Sequence, residues 1–397
     1  MQIISSQIES FQKSSSWIRK MFEAGIELKK KYGADNVCDF SLGNPDLVPP
    51  ASIVDALRAL PEQVNCPAGM GYMPNAGYAD VRAGLANYLS KEQGVTFKAE
   101  NLVITCGAAG GLNCLFRAIL TPGEEVLCPA PYFVEYGFYT SNFGGVLKSV
   151  PSIPENGFHL DLQAFEAAIT EKTRAVIINN PNNPSGVIYT ADELQALGKI
   201  LDKATAKYGR PILLISDEPY RFLAFDGAVV PPVMPLYTYT VIVGSFSKNL
   251  ALAGERVGYI AVNPAMPEGP ALVAGVTMTN RILGFVNAPC LGQRLMLAAL
   301  GTQADPSAYI SRRKKMAAVL TAANIEFTMP AGTFYFFPKA PNGMNDIDFV
   351  NRLAEERILV VPGSGFGFPG YFRIALCVDE KFIDLSAEGF KRAAAKA

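Results

Sequence analysis

The chain has 397 residues, with 35 Lys and Arg against 36 Asp and Glu and a net charge of -1, so it offers neither a basic field for a nucleic-acid backbone nor an acidic tail. Charged residues make up only 18 % against 49 % apolar, below the ~25 % charge usual in soluble domains, which points to surface hidden in an oligomer. A single histidine leaves no material for imidazole metal sites or a Ser-His-Asp triad, and no run reaches 18 apolar residues, which excludes an ordinary membrane-spanning helix.

Seven scattered cysteines without a CxxC pair read as reduced, buried thiols of a cytoplasmic protein. The first 20 residues are polar, and no secretory signal is expected there. His159, between Phe158 and Leu160, reads as structural. Length predicts two to three domains.

In chain order, an amphipathic helix spans 17–31, and the first 45 residues are expected to pack on the C-terminal part of the chain. Leu102 to Cys106 reads as a strand ending in Gly107-Ala108-Ala109-Gly110-Gly111. Leu112, Leu115, Phe116 and Ile119 then recur at helical spacing. Strands are predicted over 125–128 and 174–179. Thr190-Ala191-Asp192-Glu193 is a capping box, Leu194, Leu197, Leu201 and Ala204 form one stripe, and Gly209 closes that helix. Further strands cover 211–216 and 241–244. These runs are apolar throughout, as in parallel sheets with both faces covered, and the alternation with helices predicts a layered α/β fold.

After about residue 285 the texture changes. One long helix is predicted over 289–323, its run Arg312-Arg313-Lys314-Lys315 forming a solvated face. Short strands over 333–337, 359–361 and 372–378 complete a smaller α+β unit. The expected organisation is an N-terminal segment 1–45, a large domain 46–285 and a small domain 286–397.

Polar residues stand just past the carboxyl ends of the apolar strands: Asn183, Asp217 and Lys248. Ligands of open α/β sheets bind at those ends. A lysine there, with a lowered pKa, forms Schiff bases with carbonyl groups, and the aldehyde most used in this way is pyridoxal phosphate. That cofactor makes separate demands. Asp217, in Ser216-Asp217-Glu218-Pro219-Tyr220, supplies a carboxylate for the pyridine nitrogen. Tyr220 and Asn183, the latter in Asn180-Pro181-Asn182-Asn183-Pro184-Ser185-Gly186, offer donors for the phenolic oxygen. The phosphate, with about -1.5 to -2 charges, fits the start of a helix at Gly107-Ala108-Ala109, completed by Ser245, Ser247 and Arg256. Phe133 follows a strand and is a stacking candidate for the ring, with Tyr132 as the alternative.

Asn-Pro-x-Asn-Pro-Ser-Gly, Ser-Asp-Glu-Pro-Tyr and Ser-Phe-Ser-Lys-x5-Gly-x-Arg-x-Gly, in that order, resemble the class I/II aminotransferase family of fold-type I pyridoxal-phosphate enzymes, near its aspartate, aromatic and kynurenine branches. The resemblance runs from Ser41-Leu42-Gly43-Asn44-Pro45 to Phe372-Arg373-Ile374. It implies a three-layer fold on a mostly parallel sheet, with a smaller α+β domain formed by both termini. It implies Lys248 as the Schiff-base lysine, Asp217 on the pyridinium, and Tyr220 and Asn183 on the phenolic oxygen. Ala108, Ala109, Ser245, Ser247 and Arg256 would bind phosphate. Tyr72 would reach the phosphate of a neighbouring subunit in a homodimer. Arg373 would clamp the substrate α-carboxylate beside the backbone of Gly43.

The implied reaction moves an amino group between an L-amino acid and a 2-oxo acid. A β-lyase acting on C–S bonds shares every one of these residues. A pyridoxal-phosphate-binding regulator would need an attached DNA-binding domain, for which 45 residues are too few. Arg281 and Arg221 are candidates for a second substrate carboxylate, but no motif fixes either. Trp17, Ile18 and Tyr335 are candidate wall residues of the substrate pocket.

Overall fold

The computed structural model describes residues 3–13 and 17–395. Its centre is a seven-stranded sheet whose strands, in chain order, are β1 (Leu102–Cys106), β2 (Glu125–Ala130), β3 (Val146–Pro151), β4 (Thr173–Asn179), β5 (Leu213–Asp217), β6 (Thr240–Ser245) and β7 (Val257–Val262). They lie side by side in the order β1, β7, β6, β5, β4, β2, β3. All neighbours are parallel except β7, which runs antiparallel to both β1 and β6. The expected layered, mostly parallel sheet is what the chain forms.

The continuous apolar character of the strands has the predicted cause. Alternate residues feed two separate cores on opposite faces: Val176, Ile178, Leu214 and Ile242 enter one, and Ala175, Ile177, Ile215 and Val243 the other. Helix Gly107–Ile119 covers the second face with Leu112, Leu115, Phe116 and Ile119. Helix Ala191–Tyr208 covers the first with Leu194, Leu197, Leu201 and Ala204. Its capping box is formed: Glu193 N donates to Thr190 Oγ1 at 3.2 Å, and Thr190 N donates to Glu193 Oε2 at 2.8 Å. Gly209 ends it at φ +70°. His159 Nδ1 lies 2.7 Å from Glu193 Oε2, a structural contact as expected.

The C-terminal part carries strands Tyr335–Phe336, Val361–Pro362 and Phe372–Ala375 in one antiparallel sheet, flanked by helices Ser307–Ala322, Asp346–Glu355 and Glu380–Ala395. Much of the N-terminal segment packs on it. Cys38–Asp39 pairs in parallel with Ile358–Leu359, and Gly25 of helix Trp17–Tyr32 approaches Leu359 so closely that a Cβ would lie 3.0 Å from its Cδ1. Helix Ser6–Lys13 behaves differently: Phe11 packs edge-on against Phe138, with ring centroids 4.8 Å apart, and Gln7 Nε2 donates to Ser141 O. That helix therefore lies on helix Glu135–Ser141, beside the large sheet.

Three further expectations are corrected. The stretch 289–323 is two helices, Cys290–Ala299 and Ser307–Ala322, because Gly301 turns at φ +82° and Pro306 stands just before the second. Arg312 and Arg313 are not a solvated face: they are 9 % and 3 % exposed, pinned by Asp46 and Asp226. The cysteines are all free, but Cys66 is exposed and Cys106, Cys290 and Cys377 are only partly covered. No helix among the described residues is long and apolar enough to cross a membrane.

Candidate active site

The carboxyl ends of the central strands are in register. Asn179 of β4 stands opposite Asp217 of β5, Asp217 opposite Val243 of β6, and Ser245 of β6 opposite Gly258 of β7. Above them opens a cleft of about 290 Å³, lined by Gly43, Ala108, Ala109, Phe133, Asn183, Asp217, Tyr220, Ser245, Ser247, Lys248, Arg256 and Arg373. Twelve residues singled out from the sequence thus converge on one space. Tyr335 lines it as well. Tyr72 stands apart, 94 % exposed.

Phe133, and not Tyr132, faces the cleft; Tyr132 instead packs at Gly367, where a Cβ would lie 2.4 Å from its ring. Neither candidate for a second carboxylate is in the cleft. Arg281 is exposed at the end of helix Gly269–Ile282. Arg221 is paired with Glu218 and Glu92, each at 3.1 Å, in a separate rear chamber of about 260 Å³. The chamber shares only Pro219 and Ser245 with the cleft. Trp17 lies against Gly365, while the side chain of Ile18 is outside the described residues.

Lys248 Nζ donates to the Gly43 carbonyl at 2.8 Å. Burial pulls its pKa down to about 8; the Arg373 and Arg256 charges pull the same way, while Cys377 opposes them. A lysine so placed is available as a neutral amine near physiological pH. Gly43 itself has no room for a side chain, since a Cβ would fall 1.9 Å from Tyr335 Oη.

Asp217 is 5 % exposed. Its Oδ2 accepts from Tyr136 Oη at 2.5 Å, whereas Oδ1 is buried with no hydrogen-bond partner among the described residues. Burial raises the carboxyl to about 7, and the Tyr136 hydrogen bond works against that rise. A buried, unpartnered acceptor lacks a donor, preferably a cationic one. The pyridinium N–H of pyridoxal phosphate is such a donor.

Across the cleft, Ala108 and Ala109 begin helix Gly107–Ile119, whose first N–H groups are free to meet an anion such as a phosphate. Arg256 adopts a left-handed conformation, φ +51°, that brings its guanidinium against Gly107. Gly258 lets helix and sheet touch: a Cβ there would lie 2.6 to 2.8 Å from backbone atoms of Gly107, Gly244 and Ala108. The residues present therefore fit the cofactor at both its charged ends.

Arg373 is 2 % exposed. It donates from Nη1 to Asn183 Oδ1 at 3.1 Å and from Nη2 to Ser41 O at 2.7 Å, and Tyr335 and Phe366 flank it at 4.6 and 4.8 Å. No carboxylate pairs with it among the described residues, and its burial lowers its pKa. Tyr220 Oη lies 3.2 Å from Tyr335 Oη.

Tyr136, Tyr139 and Asn179 were not singled out from the sequence, although Tyr139 and Asn179 line the cleft and Tyr136 holds Asp217. Tyr136 lies three residues past Phe133, and the two rings meet edge-on at 5.5 Å.

A family profile for aminotransferase class I and II matches residues 35–389. A probable aspartate/prephenate aminotransferase of Aquifex aeolicus is 33 % identical over 384 residues, covering 92 % of each chain. One from Thermus aquaticus is 31 % identical, covering 93 % of this chain and 94 % of its own. The crystal structure of an amino transferase from Eubacterium rectale superposes with a TM-score of 0.95 at 36 % identity, covering 100 % of this chain and 99 % of that one. Fold, converging cleft and these likenesses agree: the chain belongs to the class I and II aminotransferase family, and is a pyridoxal-phosphate-dependent enzyme that moves an amino group between an amino acid and a 2-oxo acid.

Proposed function

We propose that Lys248 is the residue that links the cofactor and moves the substrate proton, and that Arg373 selects which bond breaks. The observation that carries this is the buried Arg373 guanidinium, which lines the cleft and has no carboxylate partner among the described residues. A guanidinium binds a carboxylate in a fixed plane through two parallel hydrogen bonds. Held so, the substrate keeps its α-carboxylate away from cleavage and presents Cα–H to the Lys248 amine. Bound pyridoxal phosphate supplies an aldehyde for the amino group and an electron sink for the charge left at Cα. Asp217 would hold the pyridinium proton, and Asn183 and Tyr220 would donate to the phenolic oxygen. Phe133 would stack on the ring, and Ala108, Ala109, Ser245, Ser247 and Arg256 would hold the phosphate. With the cofactor bound, Lys248 Nζ would take the proton from Cα, for which its pKa of about 8 suits it.

The relatives' names include aspartate, prephenate and, for a Streptococcus mutans protein, asparagine. Within one protomer the cleft holds no guanidinium besides Arg256 and Arg373 among the described residues. A second substrate carboxylate would draw its counter-ion from a partner subunit. We infer a homodimer in which Tyr72 reaches the neighbouring phosphate, and a cytoplasmic setting, in keeping with seven free thiols.

Borohydride reduction followed by denaturing dialysis should leave the pyridoxyl group on the wild-type chain and none on Lys248→Ala. Arg373→Ala should lower kcat/KM for every amino acid by about a hundredfold, because the clamp both binds and orients. A kinetically silent Arg373→Ala would overturn the bond-selection reading. Half-reactions with twenty amino acids, followed as conversion to the pyridoxamine form, name the substrate.

A further inference from the structure

Arg312, in the buried half of the basic run, lies behind the stretches that carry Arg373 and Gly43. The clamp stands on two backbone stretches. One is 40–46, where the Ser41 carbonyl accepts from Arg373 and the Gly43 carbonyl accepts from Lys248. The other is the strand Phe372–Ala375, continued by Leu376. Ala375 N donates to Phe40 O at 2.9 Å, tying the two near one end.

Arg312 adds a second tie, from the far end of the 40–46 stretch to Leu376, the residue next to Ala375. Its Nη1 donates to Asp46 Oδ1 at 2.9 Å and to Leu376 O at 3.0 Å, with Asp46 Oδ2 2.8 Å away. Asp46 is three residues past Gly43, and Leu376 three past Arg373. Tyr309, fully buried one turn earlier on the same helix, also donates to Asp46 Oδ1 at 3.3 Å, and its ring packs on Phe334 at 5.1 Å. The Phe334 ring in turn lies 5.6 Å from Lys248 Nζ. Arg312 does not line the cleft; it bridges the two stretches that do.

We propose that Arg312 is a positioning residue for substrate carboxylate binding: by joining Asp46 to the Leu376 carbonyl it fixes the spacing between Arg373 and the Ser41–Gly43 backbone. This rests on the reading of Arg373 as the clamp. A one-point ammonium at position 312 can still meet Asp46, whereas an apolar side chain leaves Asp46 and Leu376 O without their shared donor.

The probe is the 2-methyl derivative of the amino acid that ranks first in the half-reaction panel, which binds but has no Cα–H to lose. Its dissociation constant is read by spectral titration of holoenzyme. Arg312→Met should raise that constant about tenfold, the loss of one charge-assisted contact. Cofactor affinity of the apoprotein and kcat at saturating substrate should stay within about twofold, and Arg312→Lys should recover binding to within about threefold of wild type. An unchanged probe constant, or a cofactor affinity that falls in step with it, would overturn the proposal. Should Arg312→Met not fold, Asp46→Asn is read by the same criteria. Arg373→Lys runs in parallel: if it weakens the probe while Arg312→Met does not, the positioning role alone fails. If Arg373→Lys leaves the probe constant unchanged, the clamp reading fails and the positioning role with it.

Discussion

Asp217 and Glu218 are consecutive carboxyls that face opposite ways, Asp217 into the cleft and Glu218 into the rear chamber. Both are buried, and desolvation raises each to about 7. In the apoprotein the folded state then holds protons, between the ordinary carboxylate range and about pH 7, that the unfolded chain has released. Stability from these two groups therefore falls as pH rises through that window. Asp217→Asn apoprotein should lose less stability than wild type between about pH 5 and 8, with Glu218→Gln removing a second share. Melting temperatures across that range check it, and superimposable wild-type and Asp217→Asn profiles would refute it. Holoenzyme should show a smaller difference, since the pyridinium stabilises the ionised Asp217.

At the scale of elements, the helix that begins at Gly107 works because nothing separates it from β7. Gly258→Ala would push its first turn away from the sheet. Expected are a loss of about 1–3 kcal/mol from overpacking and a weaker grip on the phosphate, at least tenfold in cofactor affinity. Equilibrium dialysis of the apoprotein against pyridoxal phosphate checks the second part.

The same elements show what the sequence could reveal. Strands buried on both faces advertise themselves, and so do the polar residues at their ends, because each departs from its surroundings. The capping box of Thr190 and Glu193 was legible because all its partners lie within four residues. β3 was not: it is an edge strand whose residues are mostly exposed, without an apolar run. β7 was hidden by its position directly after the Lys248 loop, and its antiparallel direction depends on partners far away in the chain. Arg312 and Arg313 looked like solvent-facing charge because their partners, Asp46 and Asp226, are distant in sequence. Nothing local marks Tyr136 as the partner of Asp217, because the two are 81 residues apart in the chain.

For the whole molecule, the exposed Tyr72 bears on how many chains make one catalyst. If it serves a neighbouring site, chains carrying Tyr72→Ala and Lys248→Ala should rescue one another. Each hybrid dimer has one site with both residues intact, so a randomly reassembled equal mixture should reach about a quarter of wild-type activity. A mixture no better than the average of its parents would place Tyr72 outside the partner's chemistry.

The partition of Pro219 and Ser245 has its own consequence. One side of it faces the cleft, and the other faces a charged knot made of Glu92, Glu218 and Arg221. Mutations that remodel the knot can retune the catalyst through a shared wall, so random libraries aimed at new substrates have a second place to search, behind the pocket as well as inside it.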